Sequence, residues 1–127
     1  MRQSNTTKNR KEYIVKNLKF KYNNYNDLLY LYKEDSNVYA NVIIGGFHIE
    51  FDKEGSVVGM EVLNASELLN EYGIDNMLLT NISKAELKVV VRDNSLLIFL
   101  MLSSLVEEKS IPITLNGLES PLMQAMA

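Results

Sequence analysis

An α+β domain, mostly antiparallel β, is what this sequence predicts. Three observations carry it: apolar and polar residues alternate in short runs, turn-forming residues separate those runs, and one central stretch gives way to helical spacing. The expected architecture is two β-meanders joined by a short helical segment, arranged as a sandwich or a partly closed barrel. Either arrangement protects some strand edges.

The elements follow in order. Leu18-Lys19-Phe20-Lys21-Tyr22 alternates and reads as a half-buried strand. The Asn- and Asp-rich run 23–27 turns the chain into a tyrosine-rich strand over 28–33. Residues 34–37 turn it again into a strand over 38–44, and Gly45-Gly46 marks a bend or bulge. Phe47, Ile49 and Phe51 then alternate with His48, Glu50 and Asp52. A two-residue turn at Glu54-Gly55 sets Phe51 opposite Val58, Ile49 opposite Met60 and Phe47 opposite Val62, so both strands agree on the inward face. The same register sets His48 opposite Glu61, Glu50 opposite Gly59 and Asp52 opposite Val57. Gly55 supplies the positive φ that such a turn requires, and Gly59 leaves a gap facing Glu50.

Ser66 or Asn64 caps a helix that runs to about Tyr72 and stops at Gly73, and a second short helix fits 75–82. Strands follow over 85–92 and 96–102, with a tight turn at 93–95. The second of these is apolar throughout, which predicts cover on both its faces. A last strand over 110–116 contains Pro112, which cannot donate to a ladder and so belongs at a sheet edge. Laying 18–47 on 87–118 gives a weak internal repeat of two alike meanders.

Composition narrows the chemistry. The 127 residues include no cysteine, no tryptophan and one histidine. Disulfides, thiolate nucleophiles, Cys-ligated zinc and iron–sulfur clusters are excluded, as is any single-chain site that needs two histidines. No P-loop, dinucleotide-binding or nucleophile-elbow motif occurs. No catalytic residue and no cofactor is expected. The net charge of −3 hides an asymmetry: residues 1–21 hold seven basic residues against Glu12 alone, whereas 22–127 hold six basic residues against fifteen acidic ones. The expected organisation is a disordered basic arm over 1–12, a single α+β domain over 13–119 and an apolar tail over 120–127. The first fifteen residues lack the apolar run of a signal peptide, and the longest apolar stretch, 96–102, falls short of the roughly 20 residues that span a membrane. A cytoplasmic protein is expected, with no membrane partner.

Residues 18–66 resemble a known family. The matching order is a Lys-x-x-Tyr strand, then Asp27-Leu28-Leu29-Tyr30-Leu31, then the run from Glu50 through Gly55, Gly59, Glu61 and Asn64 to Ala65-Ser66. This order looks like the small prokaryotic domain of unknown function twenty-two eighty-three, whose members typically carry an acidic strand, an Asp-Gly type hairpin and a Val-Gly-Ile-Glu-Ile-Leu-(Asp or Asn)-Ala-Ser run. Typical members are much shorter, so the C-terminal half is a departure. Some members resemble the small partner encoded beside an RNase-like toxin, and the resemblance therefore implies an antitoxin-like or other interaction role.

Three groups of residues are candidates for function. His48, Glu50, Asp52 and Glu61 share one polar face and could ligate a divalent metal or move a proton, although only His48 and Glu61 converge at cross-strand distance. A solvated sheet face with one favourable pair is the plainer reading. Lys19, Lys21, Tyr30 and Tyr32 could form a base-stacking, nucleic-acid-binding platform on a sheet. Leu122, Met123 and Met126 form an apolar excess suited to an interface. The expectation drawn from these features is a non-enzymatic interaction or assembly protein whose partner is a second copy of itself, as a homo-oligomer, or another protein. A nucleic-acid-binding module is the alternative.

Overall fold

The computed structural model describes residues 10–116. In chain order the elements are β1 (Arg10–Val15), β2 (Lys19–Asn23), β3 (Leu28–Tyr32), β4 (Ala40–Ile44), β5 (Phe47–Phe51), β6 (Val57–Leu63), α1 (Ala65–Asn70), α2 (Asn76–Thr80), β7 (Lys84–Arg92), β8 (Ser95–Ser103) and β9 (Glu108–Asn116). The strands form two antiparallel sheets, one of four strands in the order β1-β7-β8-β9 and one of five in the order β2-β3-β6-β5-β4. The α+β class stands, and of the two expected arrangements the layered one is found: among the described residues no strand pairing closes the sheets into a barrel.

Alternation builds the core. Leu29 and Leu31, Phe47, Ile49 and Phe51, and Met60 and Val62 line the inner face of the five-stranded sheet. Leu87, Val89, Ile98 and Leu100 with Ile111 do the same for the other sheet, and all belong to one buried cluster. Each such side chain contributes roughly 1.5–3 kcal/mol by leaving water. Among the described residues five non-glycine residues have positive φ, namely Asn17, Asp27, Asp35, Asn64 and Asp93, all of the two types that tolerate it best. Asp75 caps α2, its carboxylate accepting from the Leu78 N–H at 3.0 Å. Pro112 lies on β9, at a sheet edge as its missing donor requires.

The structure departs from the sequence expectation in four places. First, strand β1 begins at Arg10, so residues 10–12 of the expected basic arm are sheet. Their charges suit an edge strand, and Tyr13 and Val15 supply the inward contacts. Second, β3 pairs with β6, not β4. The most deeply buried strand, β6, takes the centre, and half-exposed β4 goes to the edge. The first unit is thus a β2–β3 hairpin laid beside a β4–β5–β6 meander, a Greek-key-like order. The repeat overlay consequently breaks at its third strand, because β9 pairs with its predecessor β8 and β4 does not pair with β3. Third, the β5–β6 register holds through Phe47–Val62, His48–Glu61, Ile49–Met60 and Glu50–Gly59 and then slips, setting Phe51 against Val57. Fourth, β8 is covered on one face only among the described residues. Leu96, Ile98, Leu100 and Leu102 are buried, while Leu97, Phe99 and Met101 are half-exposed.

Candidate functional site

Because residues along a strand alternate between faces, the pairing register dictates the outer face of the five-stranded sheet. One row across all five strands reads Lys21, Tyr30, Glu61, His48, Ile43, and the next reads Lys19, Tyr32, Gly59, Glu50, Asn41. Most of the residues that the sequence nominated for function stand together here.

Tyr30 and Tyr32 stack with ring centroids 5.1 Å apart at 22°, each directly across from a lysine of β2. Tyr30 Oη donates to Glu50 Oε1 at 3.2 Å. Glu50 reaches it by lying across Gly59, where a Cβ would collide with the Glu50 carboxylate and sit 3.0 Å from the Leu31 carbonyl oxygen. The expected gap opposite Glu50 is thus filled by Glu50 itself. Partial burial pushes the Glu50 carboxyl above its ordinary range. Glu61 reinforces this, while the Tyr30 hydrogen bond and His48 oppose it. The Tyr30 hydroxyl is pushed up as well, by burial first and by the Glu50 charge second. His48 Nδ1 lies 3.8 Å from Glu61 Oε1, with the two side chains 26% and 36% exposed, so a protonated His48 forms a partly screened ion pair.

Asp52 does not join this face. Its carbonyl accepts from the Gly55 N–H at 3.0 Å, and its Oδ1 accepts from the N–H groups of Glu54 and Ser56 at 3.0 and 2.9 Å. Gly55 has φ +85°, as expected, but in a three-residue loop with a glycine bulge in place of the two-residue turn. Asp52 therefore organises the loop. Among the described residues no three His, Asp or Glu side chains converge as a metal would require.

Glu50 yields a direct prediction. A folded-state pKa above the unfolded 4.5 means stability that is full below the unfolded value and lost as pH rises through the folded one. At pH 7 the ionised carboxylate therefore costs stability. Glu50→Gln keeps an oxygen for Tyr30 and removes the charge. Its midpoint temperature should exceed that of the wild type at pH 7, and the gain should vanish near pH 4, as read from paired thermal melts.

A second cluster went unrecognised in the sequence. The Asp27 carbonyl accepts from the Ala65 N–H at 2.9 Å. Asp27 Oδ1 accepts from the Ser66 N–H at 2.9 Å and from Tyr22 Oη at 2.7 Å, and Oδ2 accepts from Ser66 Oγ at 2.7 Å. Ser66 is therefore not the helix cap. It lies inside α1, the N-cap position belongs to Asn64 at φ +51° with no side-chain bond, and Asp27 satisfies the helix start from another turn. Burial alone would raise the Asp27 carboxyl, but the bonds from Ser66 Oγ, Tyr22 and the Ser66 N–H together hold it below its ordinary value. Burial, the hydrogen bond to Asp27 and the charge on Asp27 push the Tyr22 hydroxyl up to about 12. The pairing of Leu28 with Leu63 brings Asp27 beside Asn64, so this contact becomes visible only once β3 is placed next to β6.

The candidate interface residues Leu122, Met123 and Met126 lie outside the described residues, as do the tail 120–127 and residues 1–9 of the arm.

Residues 19–66 match the family model described as protein of unknown function (DUF2283). The matched segment starts at the first residue of β2 and ends at Ser66, so it comprises the whole five-stranded sheet and the Asp27–Ser66 contact, while the four-stranded sheet lies outside it. An uncharacterized protein of Methanocaldococcus jannaschii is 41% identical over 69 residues, covering 54% of this chain and 58% of that protein. The chain thus spans a little over half the length of that relative. No solved structure matches.

Proposed function

We propose that this chain is a non-enzymatic, self-associating assembly protein of the cytoplasm whose copies pair through the outer face of the four-stranded sheet. The observation that carries this reading is the composition of that face. Its rows are Ile14–Lys88–Phe99–Pro112 and Glu12–Val90–Leu97–Thr114, with Glu86, Met101 and Ser110 following. The centre, Val90, Leu97, Phe99 and Met101, is apolar and half-exposed, and Ile14 is 48% exposed. Charges sit among and around it: Lys88 covers the Phe99 ring at 5.9 Å, and Glu86 lies beside Lys84 at 3.7 Å.

Three strands of nine residues and one of six, side by side, present on the order of 500 Å² in projection. That approaches the ~800 Å² per partner of a standard stable interface. A face carrying both signs of charge around an apolar centre can meet its own two-fold image, and packed sheets accept a spacing of ~10 Å. Phe99→Glu places a charge at the centre of such a contact. Light scattering after size exclusion should show a wild-type dimer and a monomeric variant, with affinity lowered at least about 100-fold. The far-UV circular dichroism of the variant should be unchanged. A variant that keeps the wild-type mass would remove the reading.

One observation favours a second reading, single-stranded nucleic acid on the five-stranded sheet: Lys19, Lys21, Tyr30 and Tyr32 share one face there as cross-strand pairs. Glu50 and Glu61 on the adjoining strands oppose a phosphate backbone. Binding of an oligonucleotide that weakens steeply with salt and is lost in Lys19→Glu would favour it over assembly alone.

A further inference from the structure

A sheet edge presents a row of unpaired N–H and C=O groups, and natural sheets guard it with charges or proline. The edge strands are β1 and β9 of one sheet and β2 and β4 of the other. The first three carry such guards. β1 has Arg10, Lys11 and Glu12, and β2 has Lys19 and Lys21. β9 has Glu108, Lys109 and Pro112. β4, Ala40-Asn41-Val42-Ile43-Ile44, has neither a charge nor a proline. Ile43 is 62% exposed, and Val38 and Tyr39 just before the strand are 48% and 74% exposed. The strip is also held in place. The Tyr39 N–H donates to the Phe51 carbonyl at 2.7 Å, and β4 pairs with β5 without a break from Ala40 to Ile44. An apolar edge left without guards in a well-fixed strand points to a surface kept for pairing.

We propose that β4 pairs with β4 of a second copy, antiparallel about a two-fold axis at Val42, and so joins two five-stranded sheets into one. The backbone fits this register. The two-residue loop Gly45-Gly46 closes on the Ile44–Phe47 pair, so Ile44 and Val42 turn their N–H and C=O groups toward β5. Those of Asn41 and Ile43 point away from the sheet, where no strand among the described residues takes them. The two-fold sets Asn41 of each copy opposite Ile43 of the other, so every outward N–H of one strand meets a carbonyl of its image.

The side chains select a second β4 as the occupant. On the inner side Val42 meets its own image and Ala40 meets Ile44, all half-buried in one copy, so the apolar core continues beneath the joined sheet. Tyr39 comes beside the Gly45-Gly46 turn of the other copy, where a Cβ on Gly45 would meet nothing within 4 Å and the ring has room. Against β1, β2 or β9 of a second copy, β4 would face charges or a proline; against itself it faces neither. A free peptide must be ordered into a strand as it binds, whereas a second β4 is already extended. The strip is only ~17 Å long, so the contact is weaker than pairing of the sheet faces and forms at higher concentration. It does not rest on that pairing. Both contacts are isologous, and together they link copies in an alternating series.

Charge exchange tests it. Sedimentation equilibrium of full-length Phe99→Glu, from low-micromolar to near-millimolar protein, should show monomer at the low end and dimer at the high end. In that background one variant adds Asn41→Lys and Ile43→Lys, and another adds Asn41→Glu and Ile43→Glu. Both positions are exposed, and thermal melts check both folds. Each variant sets like charges opposite one another across the axis and should lose the high-concentration dimer by about tenfold. Mixed, they should form a 1:1 heterodimer, because every facing pair then joins Lys to Glu. Val42→Cys gives a second measurement. The natural chain has no cysteine, and the two Val42 positions form a non-hydrogen-bonded pair with Cα atoms ~4.5 Å apart, within disulfide range. Under mild oxidation it should cross-link faster than Tyr25→Cys, a collision control 93% exposed in the β2–β3 turn. A parent that stays monomeric at the high end, a mixture with no heterodimer, or Val42→Cys cross-linking no faster than the control would overturn the proposal. Phe99→Glu compared with the wild type at low concentration reports on the sheet face, so the two readings fail separately.

Discussion

Replacing Asp27 with alanine should lower the unfolding free energy by about 3 kcal/mol, the sum of lost charge-assisted hydrogen bonds and of alanine held at positive φ. Three side-chain bonds disappear, from the Ser66 N–H, Ser66 Oγ and Tyr22 Oη, and Asp27 itself sits at φ +53°. For a domain of this size the midpoint temperature falls by roughly 10 °C. Asp27→Asn tolerates the backbone and keeps a side-chain carbonyl, so it should lose about half as much. The pH response identifies the cause. The folded pKa of Asp27 is depressed, so its contribution is present above the unfolded value of 3.8 and is lost as pH falls through the folded value. Wild-type stability should therefore drop below about pH 4 by a component that Asp27→Asn lacks. Tyr22 has the opposite sign: its contribution is full below pH 10 and is lost as pH rises through about 12. A variant that melts at the wild-type temperature from pH 3 to pH 7 would show that the contact between the β2–β3 turn and α1 carries no stability.

Much of this fold was legible because burial imposes periodicity. The alternation in 47–51 and 57–63 determined four cross-strand pairs, and with them the outward placement of His48, Glu50 and Glu61. What alternation leaves open is which strands are neighbours. A strand pattern identifies its inward residues and not its partner, so β3 beside β6 was invisible, and with it the link from Asp27 to Ser66. Asp52 was misplaced for a related reason. Its side chain accepts from Glu54 and Ser56 N–H groups that a two-residue turn would have arranged differently, and the resulting bulge shifts the end of β5 by one residue. Arg10 to Glu12 did not read as strand because a charged run resembles a solvated arm unless its pairing with β7 is known. For β3 and for Arg10 to Glu12 a long-range partner decides the outcome, whereas for Asp52 the type of a local turn does.

Tyr13→Phe should cost about 2 kcal/mol, the penalty for one buried donor left without an acceptor. The bulge that sets Phe51 against Val57 leaves the Val57 N–H needing a partner outside the hairpin ladder, and Tyr13 Oη supplies it at 2.9 Å. Val57 is 1% exposed, so water cannot readily take over. Phenylalanine keeps the ring packed against the core and removes only the acceptor, so the loss reports the bond itself. The Tyr13 hydroxyl is pushed up by burial, against the Val57 bond and with help from Asp52, so its contribution is present below the unfolded pKa and is lost as pH rises through the folded one. Tyr13→Phe should flatten that part of the alkaline unfolding curve and leave the Tyr22 part near pH 12 in place. Urea unfolding at pH 7 measures the loss, and hydrogen exchange at the Val57 amide localises it. An unchanged urea midpoint would show that the N–H finds another acceptor. The position of this bond gives it a wider consequence. Tyr13 belongs to the four-stranded sheet and Val57 to the five-stranded sheet, so the bond fastens the two sheets together where the β5–β6 ladder is broken. If that fastening couples the two sheets, wild-type unfolding should be a single transition by near- and far-UV dichroism alike, and Tyr13→Phe should be the variant in which the two probes first separate.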